Sequence, residues 1–352
     1  MVPLCFLAQL RGDGYDRGVT TATSKTGTSP SNGKSSKPFI PSMKLQRTLA
    51  LCLFIAQGAI TVTGSIVRVT GSGLGCNTWP KCHPDSLIPV AGAAPAIHQA
   101  IEFGNRMLTF VLVAIAVAVL VMVYKAKRRD EIIRYAWFSI LGIVLQAIIG
   151  GISVRLDLRW WAVAIHFLPS MVLVWIGAIL YQRISQADDG TIHKTFSAGI
   201  RILAVISAIA MSIVLVTGTM TTGAGVHSGD KGVGMEGRLE VDIDLMAHIH
   251  GWLMYAYLFC VIALLIWLRR SNALPISRKY GMFLVLAIVA QAIIGIAQYR
   301  LGVPRYLVPV HIGMSAVVVA FTALLYGSGR WRSGGTALKT GSCAAEEIYE
   351  AK

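Results

Sequence analysis

The chain has 352 residues, 55% of them hydrophobic and only 14% charged, with a mean hydropathy of +0.62. That balance excludes an ordinary soluble globular domain. The formal net charge of +15 does not point to nucleic acid, because no zinc-finger spacing or aromatic-basic interleaving accompanies it and the Lys and Arg residues cluster between apolar runs.

In chain order, residues 1–46 are rich in Ser, Thr, Gly and Lys without apolar periodicity, and read as a disordered tail. No cleavable signal peptide is evident, and a start at Met43, beside Lys44 and Arg47, leaves the same membrane protein. Eight apolar stretches follow, near 48–69, 102–124, 135–154, 160–182, 201–222, 246–268, 280–299 and 306–326. Each approaches the roughly 20 helical residues that span a bilayer, and helices are expected because each segment must satisfy its own backbone in lipid. Basic segments alternate along the chain: Lys125, Lys127, Arg128, Arg129 and Arg134, then the Arg183–Arg201 connection, then Arg269, Arg270, Arg278 and Lys279, and both tails. Cytoplasmic loops carry such an excess. Both termini are therefore expected in the cytoplasm, with outward loops around 70–101, 155–159, 223–245 and 300–305.

An internal repeat is legible. "VTGSIVRVTGSGLG" at the end of span 1 resembles "VTGTMTTGAGVHSG" at the end of span 5, "NRMLTFVL" from Asn105 lies opposite "HGWLMYAYL" from His250, and "QAIIG" occurs at Gln146–Gly150 and Gln291–Gly295. The offset is 145 residues from Asn105 onward and 154 before it, so the first outward loop holds nine extra residues, and Cys76 and Cys82 lie in that loop. Such duplication of a four-span unit predicts an all-α integral membrane protein of eight transmembrane helices, arranged as two pseudo-twofold-related four-helix bundles. The division expected is 47–182 for the N-terminal bundle, 183–200 for a cytoplasmic linker, 201–326 for the C-terminal bundle and 327–352 for a cytoplasmic tail.

Each QAIIG is followed, twenty residues after its glutamine, by a histidine: His166 and His311. Both lie roughly 8 to 9 Å into their spans from the outward end, at 1.5 Å per residue, and His250 enters span 6 to a similar depth. In the second half two imidazoles thus reach one level, an arrangement suited to gripping a flat metal macrocycle from both faces, with Nε2 on the iron and Nδ1 on an acceptor. A lone intramembrane histidine may equally hydrogen-bond a neighbouring helix, so the repetition carries the haem reading. His248 lies about 200° around the helix from His250 and faces elsewhere. The first half differs, with Asn105 where the second has His250. His98, seven residues earlier, is about 10 Å too far out to replace an axial ligand. Glu102 stands on the Asn105 face and is read either as a proton-handling carboxylate beside an open iron site or as the partner of Arg106, four residues on.

Cys76 and Cys82, in "GCNTWPKC", form a candidate disulfide, with a metal site or two free thiols as alternatives. Cys52 and Cys260 read as apolar packing residues, and Cys5 and Cys343 fall in the tails. Trp160, Trp161 and Tyr306 read as an interfacial aromatic belt. Arg155, Arg159, Arg300 and Arg305 are placed either to meet haem propionates or to be solvated loop charges.

"QAIIGGISVRLDLRWWAVAIHF", "QAIIGIAQYRLGVPRYLVPVHIG", "VTGTMTTGAGVHSGD", "HIHGWLMY" and "IEFGNR", with the cysteine pair, resemble haem A synthase of the CtaA type over roughly residues 47–326. The resemblance implies a duplicated eight-helix enzyme that oxidises the C8 methyl of haem O to a formyl group, giving haem A for terminal cytochrome oxidases. It implies that His250 and His311 ligate a resident haem b in the C-terminal half, that His166 is an axial ligand of substrate haem O in the N-terminal half, that Glu102 is the catalytic carboxylate, and that Cys76 and Cys82 match the family's outer-loop pair. Asn105 departs from the family pattern of Glu, two residues, His, Arg: either the substrate iron is five-coordinate or ligated by water, or His98 moves in with a rearrangement of the helix start, and Asn105 and Arg106 are expected haem contacts. The partners implied are the lipid bilayer, a haem O synthase and an electron-transfer partner, with no nucleic acid, at a bacterial cell membrane. A di-haem electron-transfer cytochrome, or a transporter using its histidines only structurally, are the competing readings.

Overall fold

The computed structural model describes residues 39–227, 237–271 and 273–334; Cys5 and Cys343 lie outside them. Among the described residues eight helices are long and apolar enough to cross a membrane. They are α1 (Met43–Val69), α2 (Ala96–Lys125), α3 (Asp130–Arg155), α4 (Trp160–Ile184), α5 (Ala198–Ala224), α6 (Ile243–Arg270), α7 (Pro275–Arg300) and α8 (Leu307–Gly327). The strands β1 (Thr191–Lys194) and β2 (Arg330–Ser333) pair antiparallel, with Thr191 opposite Ser333. Most helices run a few residues beyond the apolar stretch read from sequence, and some of their starts are capped. Ser42 accepts from the Leu45 N–H at 3.2 Å, Asp242 from Asp244 and Leu245 at 2.7 and 3.1 Å, and Pro275 opens α7 where its missing N–H costs nothing.

The repeat extends to backbone geometry. After α3, Asp157 and Leu158 take φ of 53° and 54°; after α7, Gly302 and Val303 take 70° and 58°. In both turns the second residue's N–H returns to a helix carbonyl, Leu158 to Ser153 at 3.0 Å and Val303 to Gln298 at 2.8 Å. A β-branched valine in the left-handed region is strained, so the turn is held by its surroundings rather than by local preference.

Within residues 43–184, α1 packs on α2 and α4, and α3 on α2 and α4; within 198–327, α5 packs on α6 and α8, and α7 on α6 and α8. Contacts of α1 with α8, α4 with α8 and α4 with α5 join the two sets. One core contains Leu53, Ala116, Val119, Ile132, Ile143 and Leu180. Another contains Met171, Tyr257, Leu264, Leu284, Ile288 and Val319. Small residues bring α4 and α8 close, with Ala178 and Ala323 both fully buried. Large apolar side chains such as Phe110, Trp252, Phe259 and Ile293 face outward at 63–74% exposure, a surface that only lipid solvates cheaply.

The basic connections gather on one side. Arg128, 5% exposed, donates to Asp188 at 2.7 Å, Gln46 at 2.9 Å and the carbonyls of Ile184 and Gln186. Burial pulls its guanidinium below the usual arginine range and Asp188 opposes that. Arg183 ties the end of α4 to the Arg330 carbonyl of β2, and Thr195 reaches the Ser328 carbonyl.

Candidate functional site

Three imidazoles sit in matching seats on the opposite side of the molecule. A methyl group placed on Gly150 would meet His166 Cε1 at 3.1 Å, one on Gly295 would meet His311 Cε1 at 3.1 Å, and one on Gly218 would meet His250 Cε1 at 3.1 Å. The recurrence of QAIIG is thereby explained. Its glycine leaves room for the ring and its glutamine fastens the backbone of the same histidine: Gln146 Nε2 donates to the His166 carbonyl at 2.9 Å, and Gln291 Nε2 to the His311 carbonyl at 3.1 Å. Gly295→Ala is expected to displace the His311 ring by a few tenths of an ångström and lower metal-ligand affinity by about tenfold, read by titrating the haem-free protein with haem.

His250 and His311 face one another with ring centroids 6.5 Å apart and planes at 65°. Two metal-imidazole bonds of about 2 Å, plus two half-rings of about 1 Å, place ring centres about 6 Å apart. Nδ1 of His311 and Nδ1 of His166 are buried without hydrogen-bond partners, as a group awaiting a Lewis acid would be. Among the described residues no three His, Cys, Asp or Glu side chains converge to hold a metal ion by themselves. Two facing imidazoles are a donor pair that would suit a metal whose in-plane ligands come from a macrocycle. His250 Nδ1 lies 3.2 Å from Thr217 Oγ1. His311 is turned the other way, with Nε2 3.2 Å from Gln291 Nε2 and Nδ1 unbound. His248 points elsewhere, its Nδ1 donating to the Asp244 carbonyl at 2.6 Å and its ring edge-on to Tyr299.

In the first half, Asn105 occupies the position of His250 and Thr63 that of Thr217, and Thr63 Oγ1 donates to Asn105 Oδ1 at 2.7 Å. The hydroxyl thus fixes the carboxamide as it fixes the imidazole elsewhere. Gly64, the counterpart of Gly218, has nothing within 4 Å of the methyl it lacks. His98 is bound through Nδ1 to Ser72 Oγ at 2.8 Å.

Glu102 and Arg106 are paired at 2.5 Å, as the bland alternative from sequence held, and both also clamp the cysteine loop. Glu102, 5% exposed, accepts from the Cys76 N–H at 2.9 Å; Arg106 donates to the carbonyls of Cys76 at 2.9 Å, Thr78 at 2.9 Å and Lys81 at 3.2 Å. Cys76 and Cys82 form a disulfide. His83, beside it, was not singled out in the sequence; it is buried, with Nε2 2.9 Å from Gln99 Oε1 and Nδ1 3.2 Å from Asn77 Oδ1. Arg155, Arg159, Arg300 and Arg305 are all exposed, and Arg155 donates to the Trp79 carbonyl at 2.6 Å. Cys52 is exposed on α1 rather than packed inside, and Cys260 is half-buried.

The eight apolar helices define a multi-pass membrane protein, with three half-buried imidazoles in matching seats on one side of it. Residues 47–323 match the family described as cytochrome oxidase assembly protein, COX15-CtaA, and the chain belongs to that family. Among curated relatives, "Heme A synthase" of Geobacillus kaustophilus is 29% identical over 30% of this chain and 32% of its own length. That of Bacillus pumilus is 30% identical over 36% and 40% respectively, and that of Listeria monocytogenes is 24% identical over 80% of this chain and 93% of its own. The first two matches thus span about a third of those relatives.

Proposed function

We propose that the protein is a heme A synthase that oxidises the C8 methyl of haem O to a formyl group. The observation that carries the reading is the contrast between two facing imidazoles at 6.5 Å in one half and, in the other, a single seated imidazole with Asn105 at the position that corresponds to His250. A simple electron wire needs no such asymmetry. In this reading residues 47–182 and 201–326 are pseudo-twofold-related bundles, the first receiving substrate and the second holding haem b between His250 and His311. The basic side, with both termini, faces the cytoplasm of a bacterial cell.

Haem b, when bound, supplies one-electron transfer. The chain's own residues do the rest. His166, fixed by Gln146 and Gly150, orients the substrate from one face. Asn105 keeps its Oδ1 on Thr63, which leaves its amide N–H groups for other partners, where they would donate to a group bound beside them. The overall change, methyl plus one water to formyl plus four protons and four electrons, proceeds through an alcohol and a geminal diol that loses water. Protons must leave the site, and Glu102 is the carboxylate available to take them. Its oxygens already hold Arg106 and the Cys76 N–H, so accepting a proton requires one of these donors to let go. An external electron-transfer partner takes the electrons, and a haem O synthase supplies the substrate.

The test is to express the chain in cells that make haem O, extract the haems and determine their masses. Haem A should appear and should be lost in His166→Ala. Unchanged haem O sinks the proposal and leaves the di-haem cytochrome. Asn105→His should place a second imidazole opposite His166, convert the substrate iron to a low-spin spectrum and lower its azide affinity by at least about tenfold.

A further inference from the structure

The residue that reaches furthest between the two sets of helices is one the sequence reading passed over. Arg68 is the penultimate residue of α1, in the first half, yet its hydrogen bonds lie in the second: Nε donates to the His227 carbonyl at 2.9 Å and Nη2 to the Thr222 carbonyl at 3.3 Å. His227 Nε2 in turn donates to the carbonyl of Val303, the strained residue of the α7–α8 turn, at 2.8 Å. These groups wall a cavity of about 70 Å³ whose lining includes Arg68, Thr221, Thr222, Gln298 and His311.

That cavity holds about two waters at about 30 Å³ each, or one short carboxylate arm, and is far too small for a macrocycle. Its chemistry is that of an anion site. Arg68 brings a permanent positive charge whose recorded acceptors are main-chain carbonyls, with no carboxylate in ion-pair contact among the described residues. Thr221 and Thr222 spend their hydroxyl hydrogens on their own helix. One wall of the cavity is His311 itself. Any disc gripped at His311 therefore has an edge at this opening. By contrast Arg300 and Arg305, the arginines nearest His311 in sequence, are exposed to solvent.

We infer that Arg68 is a carboxylate-binding residue for the acidic edge of the macrocycle held by His250 and His311, so that the second half's site is completed by a charge from the first. This rests on the proposed haem b site and adds to it the recognition of the ligand's carboxylates. A guanidinium presents a planar fork matched to a carboxylate, and in a site shielded from water such a pair is strong.

The experiment uses the full chain, prepared haem-free in detergent, titrated with ferric haem b and with its dimethyl ester, in which two neutral methyl esters replace the carboxylates. The wild type should bind the free acid at least about tenfold more tightly than the ester. In Arg68→Gln that preference should vanish while the low-spin bis-imidazole spectrum persists; Arg68→Lys, which keeps the charge, should retain part of it. Equal affinity for acid and ester in the wild type, a measurement that needs no variant, overturns the inference, as does an unchanged preference in Arg68→Gln. His311→Ala is the control for the underlying site. If the wild type shows no bis-imidazole spectrum with either compound, the His250–His311 reading has failed and takes the inference with it.

Discussion

Replacing His311 with alanine is expected to lower the affinity for haem b by more than about 100-fold and to remove the low-spin bis-imidazole spectrum, because a direct ligand matters more than the outer partners whose loss costs 10- to 100-fold. The only side-chain hydrogen bond of His311 among the described residues is that of Nε2 to Gln291 Nε2 at 3.2 Å. Its Nδ1 is buried without a partner, a loss of about 1–3 kcal/mol that a bound metal offsets, and its ring fills a space that Gly295 leaves for it. His250→Ala should behave alike. His248→Ala should not, because His248 is exposed and engaged with Asp244 and Tyr299. Haem recovered per protein and the optical spectrum of the purified variants are the readouts. A retained low-spin spectrum in His311→Ala together with its loss in His248→Ala would reverse the assignment.

Glu102→Gln is expected to lower conversion of haem O to haem A by 10²- to 10⁴-fold, the range for removal of a general acid or base, while haem O still copurifies with the protein. The structure sets a strict condition on that result, since Glu102 also holds the Cys76 N–H and Arg106. Arg106→Ala separates the two roles. It removes the hydrogen bonds to the Cys76, Thr78 and Lys81 carbonyls but leaves the carboxylate in place. If Arg106→Ala costs as much turnover as Glu102→Gln, then Glu102 works as a clamp on the disulfide loop. A much smaller loss in Arg106→Ala assigns it to proton handling.

The helices were legible because lipid leaves a long apolar run few other ways to satisfy its backbone, and their ends lie several residues beyond the apolar stretches both where a side chain caps the start, as Ser42 and Asp242 do, and where none does, as at Ala96 and Asp130. The repeat located His166, His250 and His311, and helical phase separated His250 from His248. What the letters did not show were contacts decided by the path of irregular chain. Arg106 finds three carbonyls only because the cysteine loop folds back over α2. His83 is buried by the same loop. Arg68 escaped notice because its partners are more than 150 residues away. The only signal was a lone arginine near the end of an apolar run, which resembles any interfacial charge.

Gly64 has a consequence of its own. A glycine within a helix costs up to about 1 kcal/mol relative to alanine on aqueous scales, and at 150, 218 and 295 that cost is matched by a ring needing the space. At 64 the socket is cut and nothing fills it. Gly64→Ala should therefore leave thermal stability unchanged or raised, whereas the same single methyl at its three cousins pushes against an imidazole ring. An engineer wanting a sturdier protein has one free move here, and making it would close off the return of a fourth histidine.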